Sequence, residues 1–479
     1  MSDEKNSIKL NNQSHSSDIT INVINDHSYR YDKLDLINLG ICLLVYMIFC
    51  FVGGVQECAD SRGYIVMKEE REPVYCLFLW FFRSVFGTNI YLNIVVFVQN
   101  LLMTFGVWWS VTYLKKRFYL KEYIALLMFS VHFGVAILCQ FFAGRSSIYP
   151  NSIMTEGITT SLWLVFITLL WKAIDSKNIK SVIVPLVLTA LLMDTRKQMA
   201  FGFIVFFAVI LICWTGTEKY VRKMLTVTLI IVLSVVLSLG INRAYNLVMG
   251  RGFNQNTRDA NLVLTTSLYV ADRVDADLIK EDAVRELFIE TMDEIDAKKC
   301  NINYAGKGWR SIADHYGEHY DKITIDTTKY KFEDFAVKRG FKEGVEAKQE
   351  ADRMSNVIVT SLLADNLGKY FKVFMSSFCN GLVNTVAKRN VLLEWYSLVV
   401  YIVYIILLVM NLKDRHTKSV GFIGLSVLIS IFVNVGVTAA LIFTQTRYMI
   451  YNMALFYVAF ILMAYTSIYK YFVSKGKRI

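Results

Sequence analysis

The stretch Glu57-Cys58-Ala59-Asp60-Ser61-Arg62-Gly63-Tyr64 sets two carboxylates three residues apart beside an arginine and a tyrosine. On a helical turn Glu57 and Asp60 would share a face; in an extended loop they would not. A carboxylate held against a hydroxyl can take its proton as that oxygen attacks, provided pKa and reach allow it. The competing reading is a solvated loop acid. A further acid, Glu156, closes the stretch Tyr149-Pro150-Asn151-Ser152-Ile153-Met154-Thr155-Glu156, where an apolar run begins. A helix N-terminus favours a carboxylate there by roughly 0.3–1 kcal/mol with no ligand at all. Against that, an ionisable group beside hydrocarbon is costly and more often functional than ornamental. Arg145, Arg196, Lys197 and Arg447 also fall at the ends of apolar runs. A guanidinium fork makes charge-assisted bidentate bonds to an anion, and the plainer reading is a side chain snorkelling to the interface. Other chemistries lack their motifs: there is no G-x-x-x-x-G-K-[ST], no H-E-x-x-H and no G-x-S-x-G, so ATP use, zinc peptidase chemistry and a serine elbow are unsupported. His315 and His319, four apart, have no obvious third ligand and read as solvated surface.

These groups must be positioned by a membrane bundle. Hydrophobic residues make up 55% of the 479 positions. Apolar runs around 36–55, 90–113, 122–142, 153–173, 181–193, 199–215, 224–241, 391–411, 419–443 and 448–469 read as spans, most of them near the roughly 20 residues that cross a bilayer. The formal charge of +11 would suggest nucleic acid in a soluble protein. Here Lys and Arg collect in short connections instead: Lys115-Lys116-Arg117 with Lys121; Lys172, Lys177 and Lys180; Lys219, Arg222 and Lys223; Lys413, Arg415 and Lys418; and Lys475, Lys477 and Arg478. The positive-inside rule accounts for that bias, implies no nucleic-acid partner, and puts both termini in the cytoplasm. The short run 181–193 is the weakest span, and its loss would invert everything downstream.

The expectation is therefore an all-α polytopic membrane protein of about ten transmembrane helices. Residues 1–35 form a polar, disordered cytoplasmic tail with no apolar core of a cleaved leader, so the first span is an uncleaved anchor. Residues 36–241 form a transmembrane module with a first outer loop at 56–89. Within that loop, 73–85 is apolar and aromatic but too short to cross, and reads as a helix in the outer interface. Residues 242–390 are a charged, almost proline-free extracytoplasmic insertion expected to be mainly helical, with amphipathic helices over 278–297 and 354–378. Residues 391–479 hold three spans and a basic tail. Of eight cysteines, Cys42, Cys50, Cys139 and Cys213 belong to spans. Cys58, Cys76, Cys300 and Cys379 match no zinc spacing, and a Cys300–Cys379 bridge is the one pairing left open.

The order Asp60, Tyr64, then Arg71-Glu72-Pro73-Val74-Tyr75, then a helix ending at Phe86-Gly87, resembles the GT-C superfamily of membrane glycosyltransferases. These use polyprenyl-phosphate sugars and include the protein O-mannosyltransferases and aminoarabinose transferases. The stretch Tyr149 to Glu156 is similar to the family's threonine-glutamate element, and Arg447-Tyr448 to its outer arginine-tyrosine pair. The resemblance implies a GT-C-like bundle and an inverting glycosyltransferase of the outer face of a cell membrane, working in envelope glycan synthesis. It implies Asp60 as general base assisted by Glu57 or Glu156, and Arg145, Arg196 and Arg447 holding the departing phosphate. Arg62, Tyr64, Tyr75 and Tyr448 would line the substrate pocket. The implied partners are a polyprenyl-phosphate-linked sugar donor, a glycan, lipid or protein acceptor, and membrane lipids. Ser61 follows Asp60 where many relatives have a second acid, so no metal ligands are assigned and use of a divalent cation stays open. Cys76 likewise replaces a proline. The alternatives are an oligosaccharide polymerase or ligase, or a non-enzymatic flippase or transporter for lipid-linked sugars.

Overall fold

The structure, a computed structural model, describes residues 31–142, 148–254, 259–388 and 390–474. The tail up to residue 30, Arg145, and the basic residues Lys475, Lys477 and Arg478 lie outside the described residues. Helix α1 (Lys33–Gly53) opens on a capping box: the Asp32 carboxylate accepts from the Asp35 amide at 2.9 Å, and the Asp35 carboxylate from the Asp32 amide at 2.9 Å. After one turn of helix, α2 (Ser61–Ile65), comes α3 (Pro73–Arg117), which has proline in its first turn. A straight rod of 45 residues would be about 68 Å long, over twice the thickness of a bilayer's hydrocarbon core. It breaks at Gly87 (φ 74°, ψ 174°), a conformation open to glycine, so an arm over 73–86 precedes the portion of α3 that crosses.

The module continues with α4 (Glu122–Phe142), α5 (Glu156–Ser176), α6 (Ile183–Thr195), α7 (Phe201–Cys213) and α8 (Tyr220–Val248). The insertion contains α9 (Asp259–Val270), α10 (Asp282–Ala297), α11 (Trp309–Asp321), α12 (Tyr330–Lys338), α13 (Val345–Leu362) and α14 (Leu367–Val386). The chain ends in α15 (Val391–Lys413), α16 (Lys418–Leu441) and α17 (Thr446–Ser474). Eight of these, α1, α3, α4, α5, α8, α15, α16 and α17, are long and apolar enough to cross a membrane. The protein is thus an all-α polytopic membrane protein.

Helices α6 and α7 have 13 residues each, short of the roughly 20 that a span needs. They meet at the polar run Asp194 to Gln198, where Arg196 is extended (φ −158°, ψ 117°). Both run beside α5. At one end Arg196 reaches Glu156; at the other the Trp214 indole donates to the Ala173 carbonyl at 3.1 Å. Turns of 3-10 helix at Ile179–Val182 and Lys197–Ala200 lengthen the pair, since each residue there rises about 2 Å rather than 1.5 Å.

Two expectations need correction, and the one cysteine pairing left open is decided. Helix α8 continues to Val248, past the boundary expected at 241, because the chain stays helical while its apolarity fades. The single helix expected over 354–378 is two, α13 and α14, separated at residues 363–366. The Asn366 side chain turns out of that break to donate to Asp275 at 2.9 Å. All eight cysteines are free thiols, so Cys300 and Cys379 are not bridged.

The bundle core is aromatic, with Trp163, Trp171, Trp214, Phe166 and Tyr404 buried. The insertion has its own core, built on Leu268, Leu287, Phe288, Tyr316, Met354 and Ile358. It grips the loop after α2 through ion pairs Lys348–Glu69 and Lys329–Glu70 (3.7 Å) and through Arg251 donating to the Met67 carbonyl.

Candidate functional site

Residues 150–153, just ahead of α5, act as a keystone. The Asn151 side chain donates to the carbonyls of Phe49 (2.8 Å) and Gly54 (3.1 Å) at the end of α1, and accepts from Asn100 of α3 at 2.9 Å. Gln56 and Ser152 form a parallel bridge, with Gln56 N to Asn151 O at 3.1 Å and Ile153 N to Gln56 O at 2.9 Å. The Ser61 hydroxyl then donates to the Ile153 carbonyl (2.8 Å) and accepts from the Cys58 amide (2.8 Å). Gln99 of α3, fully buried, donates to the carbonyls of Pro150 (2.7 Å) and Ser152 (3.1 Å) and accepts from the Tyr75 hydroxyl (2.9 Å). A Cβ on Gly157 would lie 2.5 Å from the Gln99 amide carbon, so only glycine leaves room. This web sets Asp60, in the turn before α2, above Glu156, the first residue of α5.

Five side chains then alternate in sign. Arg71 Nη2 donates to Asp60 Oδ1 at 3.0 Å, and Arg447 Nη1 to Asp60 Oδ2 at 3.0 Å. Arg447 also pairs through Nε with Glu156, whose same oxygen accepts from Arg196 Nη1 at 2.7 Å. The Thr155 hydroxyl bonds the other Glu156 oxygen at 3.1 Å. Three guanidiniums therefore share two carboxylates. Tyrosine faces flank the ends: the Arg71 guanidinium lies 4.7 Å from the Tyr64 ring centre, and those of Arg196 and Arg447 lie 5.2 and 5.8 Å from that of Tyr448. Tyr64 packs edge-on against Tyr75 at 5.3 Å.

Exposure separates the two acids. The Asp60 side chain is 33% exposed and that of Glu156 4%, so Asp60 is the one open to solvent. Burial opposes its charge, but Arg447 and Arg71 outweigh burial and hold the carboxyl below the usual 3.8. Burial pushes the Glu72 carboxyl the other way, above its ordinary value, against the pull of Lys197, Arg71 and Arg196.

Of the residues singled out in the sequence, Asp60, Tyr64, Tyr75, Glu156, Arg196, Arg447 and Tyr448 come together. Glu57 and Arg62 do not join them: both are exposed, and neither makes an ion pair among the described residues. The short α2 begins after Asp60, which leaves Glu57 in non-helical chain and off any shared face. Arg71 was passed over, although it stands in the run that opens α3; Gln99 and Gln198 were passed over too. Gln198 donates to Asn434 (3.1 Å) and Thr438 (3.0 Å) of α16 and accepts from Arg196 (3.0 Å), tying the α6–α7 break to α16. Among the described residues, no group of three or more His, Cys, Asp or Glu side chains is gathered to hold a metal ion. His315 and His319 stack on each other at 4.1 Å.

The arrangement can bind an anion at the arginines and present a carboxylate beside it. No protein-family model matches the chain, and no curated protein matches it.

Proposed function

We propose that the protein is an inverting glycosyltransferase with a GT-C-like bundle, moving a sugar from a polyprenyl-phosphate donor to an acceptor hydroxyl at the outer face of the cell membrane. The observation that carries this reading is the chain Arg71–Asp60–Arg447–Glu156–Arg196, assembled from four remote segments at one end of the bundle. Its surplus of guanidinium over carboxylate suits a phosphate, and its one accessible carboxylate suits a proton acceptor. In this topology α6 and α7 count as two short transits, giving ten in all. The ends with Lys115, Lys177, Lys223 and Lys413 then face the cytoplasm with both termini, and the cluster and insertion face outward.

The donor's phosphate binds between Arg447, Arg196 and Arg71, with its prenyl tail in the bilayer. As the phosphate takes over hydrogen bonds from Arg447 and Arg71, Asp60 loses the two counter-charges that suppress its basicity. The acceptor hydroxyl gives its proton to Asp60 while its oxygen bonds to the anomeric carbon from the face opposite the phosphate. The carbon–oxygen bond to phosphate breaks, and its electron pair leaves with polyprenyl phosphate, where the arginines meet the growing charge. Glu156 holds Arg196 and Arg447 in position, and Tyr64 and Tyr75 wall the sugar site.

Membranes supplied with a radiolabelled polyprenyl-phosphate sugar pool test this. Transfer should vanish in Asp60→Asn at equal expression. Undiminished transfer would refute the base, and labelling of intact cells that places the Asp60 turn inside would refute the topology.

A further inference from the structure

A second cationic feature lies at the other end of α5. There Lys177, Asn178, Lys219, Arg222, Lys223 and Thr226 line a concavity of about 440 Å³ between the end of α5 and the start of α8. From Glu156 to Ser176, α5 has 21 residues, so this place is about 30 Å from the Asp60–Glu156 cluster. Four cations converge on it. None of the four forms an ion pair with a carboxylate among the described residues, while nearby Asp175 is held by Arg117 at 2.6 Å. Lys223 is fixed rather than waving: its amine donates to the Lys177 carbonyl at 3.1 Å and lies 5.5 Å from the Trp214 ring centre. Lys177 and Lys219 both take left-handed backbone, φ 51° and 54°, where glycine is the ordinary occupant. The turns that carry them keep a cation where a bare backbone would be easier.

We propose that this concavity binds the phosphate headgroup of an anionic phospholipid. The positive-inside bias explains cations near this surface, but not their convergence on one hollow without a carboxylate among its walls. A lipid rather than a soluble anion is indicated by the apolar exterior of the helices that start at the hollow. Ile183, Val184 and Val187 of α6 and Val221, Leu225 and Leu229 of α8 are all exposed apolar side chains on helices that pack on each other. A phospholipid whose phosphate sat among these cations would have such side chains on the same helices within reach of its acyl chains. The site is independent of the transferase reading.

The test uses the purified full chain in nonionic detergent, titrated with phosphatidylglycerol or phosphatidylcholine and followed by native mass spectrometry. Phosphatidylglycerol should be retained at least about tenfold better than phosphatidylcholine. The preference should fall to near parity in a Lys177→Gln/Arg222→Gln variant and persist in Lys413→Gln/Lys418→Gln, which removes as many charges from another connection. Equal retention of both lipids by the unaltered protein would overturn the proposal, as would full preference in the first variant. Displacement of the lipid by an equal concentration of inorganic phosphate would reassign the site to a free anion. Should the first variant fail to fold, photoreactive phosphatidylglycerol on the unaltered protein decides: cross-links within 177–182 or 219–226 support the site, and cross-links confined elsewhere sink it.

Discussion

The two ends of the bundle both carry buried ion pairs, and they solve different problems. At the end where α1 begins, Asp35 is fully buried and pairs with Lys115 (3.1 Å) and Lys116 (2.6 Å), while Lys115 also meets Glu122 at 2.5 Å. Asn38 donates to Glu122 at 2.6 Å, and the Trp108 indole to the Asp35 carbonyl at 2.8 Å. Asp35 and Glu122 each have partners on a neighbouring helix, and the network stitches α1, α3 and α4 together. At the opposite end three guanidiniums pair with two carboxylates, Asp60 and Glu156, and the hub Asp60 is a third exposed. A sealed network locks helices; an open one with surplus charge is prepared for something that is not protein.

That contrast can be broken most decisively at its two hubs. On the proposed transferase reading, Asp60→Asn should cost roughly 10²–10⁴ in transfer rate, the range of a lost general base, with a much smaller loss of thermal stability than at Asp35. Asp35→Asn should do the reverse: removing one partner of a buried pair costs about 3–5 kcal/mol, read as a lower unfolding temperature in detergent, with activity per folded molecule kept. If Asp60→Asn destabilises as much as Asp35→Asn, the distinction between the ends is lost.

Arg447→Lys sharpens it further. One ammonium cannot span Asp60 and Glu156 as the planar guanidinium does, so donor turnover should drop about 10- to 100-fold. Gly63→Ala comes next, because a Cβ there would lie 2.8 Å from Arg71 Nε and push that guanidinium off Asp60. Activity should fall roughly tenfold, about 1.4 kcal/mol of transition-state binding. The smallest effect is in acid. Because Asp60 titrates below its unfolded value of 3.8, the stability it contributes is fully present above that value and is lost only as pH falls through the lower folded one. Unfolding curves of the native protein and Asp60→Asn should therefore run parallel from pH 7 to pH 5 and converge only in stronger acid.

The membrane architecture was legible because hydrocarbon demands long apolar runs, and eight such runs are long helices. Where that demand is relaxed, legibility falls. Helices α6 and α7 are short because 3-10 turns lend them height, a geometry with no apolar signature. The meeting of Asp60, Glu156 and Arg447, separated by up to 387 residues, has no signal in spacing; only the family resemblance placed them together. Arg71 was in plain sight, and nothing local distinguishes it from Arg62, which is exposed. Gln99 and Asn100 did leave a trace, two amides in the middle of an apolar run, where polar side chains are expensive. Their partners, the Pro150 carbonyl and the Asn151 side-chain oxygen of a loop about fifty residues on, could not be read from it.

The bridging role of Arg447 carries a consequence for assembly. Without Arg447, the remaining pairs are two separate couples, Asp60 with Arg71 and Glu156 with Arg196. Docking of α17 against the earlier helices is therefore what joins the couples into a single unit through one guanidinium. On the proposed transferase reading, a variant whose α17 does not dock is expected to be inert towards donor lipid even with Asp60, Glu156 and Arg196 intact.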